Sequence, residues 1–175
     1  TDKLNKELKT LKAENEKLKE NANDQEQYSR RNNLRVTGIK EDTNKQSSLQ
    51  TKAQFQKMCK EKLGLDIRDE DIDIAHRLGP YKANGNRPII VKFVRRQTKF
   101  DITKNAKSLK GTNIYLNDDL THTNQQALMS LRLKDPTRIE KAWSFEGKLY
   151  ATFKSTNPAR PGNTTTRQIR FAEYD

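Results

Sequence analysis

Leu4, Leu8, Leu11, Asn15, Leu18, Ala22 and Gln25 follow a strict 4-3-4-3-4-3 spacing. That period commits the first segment to a helix with a narrow seam, and a seam of this kind is covered by a partner helix. With Leu4 at d, the a positions are Leu8, Asn15 and Ala22, and the d positions continue with Leu11, Leu18 and Gln25. Glu7 and Glu14 fall at g, and Lys12 and Lys19 fall at e five residues later, the geometry of a parallel, in-register coiled coil. Each exposed pair contributes only ~0.2–1 kcal/mol, so the pairs set register more than stability. Asn15 at a fixes register and favours few strands, while the lack of β-branched a residues leaves the strand number open. The competing reading is a single solvated helix. The seam fades at Ala22 and Gln25, which predicts a flexible exit.

The charge divides the chain at the same place. Residues 1–29 carry 6 Lys and 7 acids, residues 30–120 carry 20 Lys+Arg and 11 acids, and residues 121–175 carry 9 and 5, giving −1, +9 and +4 within a total of +12. Three parts are therefore expected: a coiled-coil end (1–29), a basic middle domain (30–120) and a small basic C-terminal domain (121–175). The basic excess points to a polyanionic partner, nucleic acid first. The apolar fraction of 31% lies under the globular norm of roughly 45–50%, as a solvated coil requires. No run approaches the ~18 apolar residues of a membrane span, so no membrane partner is expected.

The middle segment reads as βαββαβ. Leu34–Ile39 alternates as a strand. A polar loop (40–48) leads into a helix over 49–63, with Phe55, Met58, Cys59 and Leu63 on or near one face and Gly64 as its stop. Ile72–Arg77 alternates again, a turn-rich loop around Asn84 follows, and the β-branched run 88–94 suits a central strand. A helix over 95–109 and a short strand at 114–116 complete the order. In about 85 residues this predicts an α+β, ferredoxin-like fold, of which the RNA-recognition motif is the version that binds nucleic acid on its open sheet face. If Val36, Ile74, Ile89, Val91, Ile114 and Leu116 face the helices, the open face carries Arg35, Thr37, Ala75, Arg77, Ile90, Lys92 and Tyr115. One aromatic in place of the usual two or three predicts contact with the backbone rather than with particular bases.

The last segment reads as a helix over 121–134, capped by Thr121 or Thr123, then a hairpin through Trp143 and Tyr150, a Pro/Asn/Thr-rich loop (155–166) and a return strand over 168–174. Candidate nucleic-acid contacts gather in groups. Arg30, Arg31 and Arg35 sit where the coil meets the first strand. Arg77 and Lys92 lie on the open face. Arg95, Arg96 and Lys99 begin the second helix, where cations oppose the helix dipole, and Lys104, Lys107 and Lys110 recur every third residue along it. Arg132, Lys134, Arg138, Lys141, Lys148 and Lys154 form a second set, with Trp143 and Tyr150 among them. An aromatic between cations suits base stacking, although core packing is the commoner fate of a lone Trp, and Tyr115 shares both readings.

Four segments resemble a known family. Arg31-Asn32-Asn33-Leu34-Arg35-Val36-Thr37-Gly38-Ile39 resembles the first strand of the first-open-reading-frame protein of LINE-type non-LTR retrotransposons. Ile74-Ala75-His76-Arg77-Leu78-Gly79 resembles its second strand, Arg87-Pro88-Ile89-Ile90-Val91-Lys92-Phe93 its third, and 109–121 its fourth strand and exit. They occur in the family's order, after a coil and before a small basic domain. The resemblance implies a trimeric coiled coil, a noncanonical RNA-recognition motif and a C-terminal domain that bind single-stranded RNA with little sequence preference and act as a nucleic-acid chaperone.

Catalysis finds little support. His76, His122 and Cys59 lack metal-ligand spacing, the acidic run 69–73 and the pair Asp118-Asp119 read as a loop and a cap, and no phosphate-cradling loop or nucleophile elbow occurs. Asn163-Thr164-Thr165 matches a glycosylation sequon by chance. The expectation is a nonenzymatic, self-associating protein of a retrotransposon ribonucleoprotein, cytoplasmic with nuclear access as an extension. It needs no cofactor, metal or small-molecule substrate. Its partner is single-stranded RNA, with single-stranded DNA as a second candidate, and it forms a parallel homo-oligomer, a trimer by resemblance with a dimer as the alternative. The rival is a structural coiled-coil adaptor whose ferredoxin-like domain binds protein.

Overall fold

The structure, a computed structural model, describes residues 1–41, 46–83, 85–134 and 136–174, without the side chain of Lys134. The expectations placed on Asn84, on 42–45 of the polar loop and on the Lys134 side chain fall outside the described residues. The protein is mixed α+β, with a 28-residue N-terminal helix and two antiparallel sheets. The chain divides into two compact units, one of Arg31–Asp119 and one combining Thr1–Arg30 with Leu120–Asp175.

In the unit Arg31–Asp119, strand β1 (Asn33–Thr37), helix α2 (Ser48–Met58), β2 (Ile72–Arg77), β3 (Ile89–Phe93), α3 (Arg96–Lys104) and β4 (Tyr115–Asp118) follow the βαββαβ order. The sheet order is β2-β3-β1-β4, antiparallel throughout. A capping box of Ser47 and Gln50 starts α2, because both side chains satisfy backbone N–H groups the first turn leaves free. A π-helical turn (Cys59–Leu63) continues α2, and Gly64 ends it at φ +66. Leu34, Val36, Ile89, Val91 and Phe93 alternate inward and meet Phe55, Met58, Cys59, Leu63, Ile102 and Leu109 in one core.

The sheet corrects one expected face. The register between β2 and β3 shifts between Ile72 and Ile74, and a bulge of this kind moves every later side chain to the other face. Ile74, expected inside, is 47% exposed, whereas Ala75 and Arg77, expected outside, are buried. Beyond Thr37 the chain turns at Gly38, at φ +94; a Cβ there would stand 2.0 Å from the Asn113 carbonyl oxygen, so only glycine fits. The expected helix over 95–109 is two pieces, α3 and a 3₁₀ turn (Ala106–Leu109).

The other unit holds α1 (Asp2–Ser29), α4 (His122–Lys134), β5 (Ile139–Phe145), β6 (Lys148–Lys154) and β7 (Thr164–Ile169). The sheet order is β5-β6-β7. Glu146 (φ +50) and Gly147 (φ +78) form the β5–β6 turn. The return strand begins earlier than expected, at Thr164, and 171–173 is a 3₁₀ turn. Ala127 and Leu128 of α4 pack on Ala142, Leu149, Ala151 and Ile169.

Although the seam fades at Ala22 and Gln25, α1 runs unbroken to Ser29 and its last turns are docked. Thr121 Oγ1 donates to Asn23 Oδ1 (2.7 Å), Asn23 Nδ2 to Asn124 Oδ1 (2.9 Å), and Asn124 Nδ2 and the Thr121 N–H both donate to Gln27 Oε1 (2.9 Å each). Thr121 also caps α4, accepting from the Asn124 N–H. Asn23 and Gln27 occupy heptad positions b and f, opposite the seam. Leu4, Leu8, Leu11 and Leu18 remain 64%, 51%, 62% and 66% exposed. Among the described residues no helix is long and apolar enough to cross a membrane.

Candidate nucleic-acid interface

Two sheet faces lie outside the cores, one in each unit. Strand periodicity decides which residues reach them: once Leu149, Ala151 and Ile169 face α4, their neighbours face away. On the three-stranded sheet the outward residues are Lys141, Trp143 and Phe145 of β5, Lys148, Tyr150, Thr152 and Lys154 of β6, and Thr164, Thr166 and Gln168 of β7. Trp143 and Tyr150 are direct cross-strand partners, with ring centroids 6.1 Å apart and planes 19° from parallel. Lys141 Nζ stands 5.2 Å from the Trp143 centroid, within cation–π reach. Neither ring belongs to the apolar core. Lys141 and Lys148 are exposed, and Lys154 is exposed with its ammonium donating to the Pro136 carbonyl. Arg132 leans from α4 to donate to the Ala142 carbonyl (3.1 Å), so it also ties helix to sheet. Arg138 is exposed in the turn that leads into β5.

The outward face of the four-stranded sheet carries Arg35 and Thr37 of β1, Ile74 and His76 of β2, Ile90 and Lys92 of β3, and Tyr115 and Asn117 of β4. Tyr115 is the aromatic ring of this set, exposed on an edge strand. Lys92 is 3.9 Å from Asp73. The Arg35 Nε, the Asn32 Oδ1 and the Asn33 Oδ1 are buried without a hydrogen-bond partner among the described residues. A buried group left unsatisfied costs roughly 1–3 kcal/mol, so these three atoms, at and just before β1, carry unmet hydrogen-bonding capacity.

Two expected contacts are structural instead. Arg77 is 7% exposed and bonds inward, donating to the carbonyls of Ile39 (2.7 Å), Arg87 (2.7 Å) and Lys40 (3.2 Å) and to the side chains of Gln46 and Gln54. The bulge in β2 turned it there. Lys99 is 8% exposed, 3.2 Å from Asp118 and donating to the Arg31 carbonyl; a buried ammonium needs such partners. Lys104, Lys107 and Lys110 are exposed, but α3 stops at Lys104, so they do not share one helical face. Arg30 closes α1 with an ion pair to Glu26 (3.0 Å), Arg31 is exposed, Arg95 lies 3.6 Å from Asp71, and Arg96 opens α3 from an exposed position.

The sequence reading missed Phe145, 52% exposed beside Lys148. The alternation Lys141-Trp143-Phe145 carries the signal. It also missed the pair Arg87–Glu41, with Arg87 Nε 2.8 Å from Glu41 Oε1 and Nη2 3.1 Å from Oε2. The Arg87 guanidinium holds the Glu41 carboxyl below its ordinary value. Burial pushes the Cys59 thiol up to about 12, which suits a core residue and not a nucleophile. Tyr174 is also raised to about 12, by burial first and then by Asp24 and Glu20 of α1. No group of three or more His, Cys, Asp and Glu placed to hold a metal occurs among the described residues. No protein-family model and no curated protein matches the chain.

Proposed function

We propose that this chain is a nonenzymatic, largely sequence-independent binder of single-stranded RNA that self-associates through its N-terminal helix. The cross-strand stack of Trp143 on Tyr150, outside the core and attended by Lys141, carries the reading. Rings on a sheet face offer platforms to any base, and each base stacked is worth roughly 1–3 kcal/mol. Lysines beside them take the flanking phosphates as point charges, without sequence preference.

Further support comes from the second unit. Its βαββαβ order and β2-β3-β1-β4 sheet suit a ferredoxin-like fold of the RNA-recognition-motif type, and Arg35 and Lys92 on the outward face suit backbone contact. The exposed leucine seam suits pairing with further copies of the same helix, and the polar docking of Asn23 and Gln27 leaves that seam free. Several weak modules on one axis act at high effective concentration. In this reading the chain is a first-open-reading-frame protein of a LINE-type retrotransposon, with a coil of three strands, that packages RNA as a chaperone.

Filter binding of a labelled single-stranded RNA across a salt series tests the reading, with single-stranded DNA as a parallel arm. Affinity should fall by roughly 10³–10⁵ between 50 and 200 mM salt if about 6–10 phosphates are contacted. Binding no tighter than millimolar at low salt overturns it and favours the protein-binding adaptor.

A further inference from the structure

The unit Arg31–Asp119 contains a cavity of about 300 Å³ between the 3₁₀ turn Ala106–Leu109 and the edge strand β4. Its apolar wall is Leu109, Ile114 and Leu116, residues buried or packed against the core. Its rim is Lys110, Asn113 and Tyr115, all exposed. The loop between is wound through left-handed backbone at Gly111 (φ +86) and Asn113 (φ +62). The close approach permitted by Gly38 fixes Asn113 against the end of β1. Tyr115 belongs both to this rim and to the outward sheet face, where it stands opposite Thr37, with Arg35 opposite Asn117 two residues on.

We propose that this cavity receives one nucleobase of the single strand bound across the outward face, with Tyr115 stacking at the mouth and Lys110 facing the phosphate beside that base. The inference rests on the RNA-binding reading. The size and chemistry favour this occupant. A volume at the lower end of the ~300–1,000 Å³ range of ligand sites suits a single ring system. Apolar walls accept the faces of a base, while the polar rim of Lys110, Asn113 and the tyrosine hydroxyl accepts its edges and the backbone. A base of an unpaired strand turns aside at low cost, since no partner base is lost. The charged residue of the lining is Lys110, a cation, which suits the phosphate beside a base and disfavours a basic peptide.

Photocrosslinking of the full chain to a 4-thiouridine-substituted single-stranded RNA, read by mass spectrometry, tests the inference. Crosslinks are expected at Tyr115 or its cavity neighbours and, separately, at Trp143 or Tyr150. Filling the cavity with Ala106→Phe should remove the first set, leave the second, and weaken binding on the order of tenfold. Crosslinks confined to Trp143 and Tyr150 in the unaltered chain overturn the cavity proposal and leave the RNA-binding reading standing. Loss of every crosslink together with loss of binding at low salt overturns both. Unchanged crosslinking at Tyr115 in a folded Ala106→Phe chain also overturns the cavity proposal. The unaltered chain alone decides the matter if that variant does not fold.

Discussion

The two sheets present different surfaces from the same alternation rule. The four-stranded sheet turns outward Arg35, Thr37, His76, Lys92 and Asn117 with Ile74 and Ile90 among them and Tyr115 as its aromatic. The three-stranded sheet turns outward Trp143, Tyr150 and Phe145 among lysines. The first can hold phosphates but offers little for bases to stack on. The second offers stacking platforms together with the lysines Lys141, Lys148 and Lys154. In the proposed RNA-binding reading, most of the stacking falls to the three-stranded sheet, and the four-stranded sheet contributes mainly phosphate contacts beside the single base proposed at Tyr115.

The sharpest way to break that contrast is Arg77→Ala. If Arg77 is part of the fold and not of the surface, its loss strands the buried carbonyl of Ile39 and the part-buried carbonyl of Arg87 and should destabilise the unit by about 3 kcal/mol or more. Urea denaturation followed by circular dichroism measures this, and an unchanged midpoint would return Arg77 to the outward face. Next in size, Trp143→Ala should weaken single-stranded RNA binding by roughly 1–3 kcal/mol while leaving the salt slope unaltered; titration at several salt concentrations reads both. Lys92→Ala should do the reverse, with a smaller loss of affinity and a salt slope shallower by about 1. A slope change from Trp143→Ala, or none from Lys92→Ala, would erase the proposed division.

Two smaller effects sharpen the comparison from the interior. The Glu41 carboxyl is held below its ordinary value of 4.5 by Arg87. A lowered carboxyl stabilises the fold above its unfolded-state pKa, and that contribution disappears as pH falls through the folded-state value. The difference in denaturation midpoint between the unaltered chain and Glu41→Gln should therefore be full above about pH 5 and close under acid. Cys59, buried and raised to about 12, should resist alkylation in the native protein at neutral pH and react once it is unfolded; rapid native labelling would contradict its place in the core.

Much of this architecture was legible in the residues. A period of 3.5 marked α1, alternation marked β1 and β2, a β-branched run marked β3, Gly64 marked the end of the helical run, and the face of Phe55, Met58, Cys59 and Leu63 entered the core as a set. The candidate interface was legible only in part. Lys141, Trp143, Lys148 and Tyr150 reached one outward face because strand alternation is a local property. Arg77 and Lys99 did not reach the surface. Their fates depended on a bulge and on Asp118, and neither leaves a mark in the residues beside them.

The sequence by itself determined which segments are helix or strand and which stretches carry the charge, because periodicity and composition act over a few residues. The tertiary structure decided the rest. A one-residue shift in β2 exchanged the surroundings of Ile74 and Arg77. Hydrogen bonds spanning about a hundred residues, from Asn23 and Gln27 to Thr121 and Asn124, joined the first helix to the last segment in one unit. A polar side chain buries wherever the folded chain supplies its partners, and those partners are set by register and long-range packing, which no local pattern encodes.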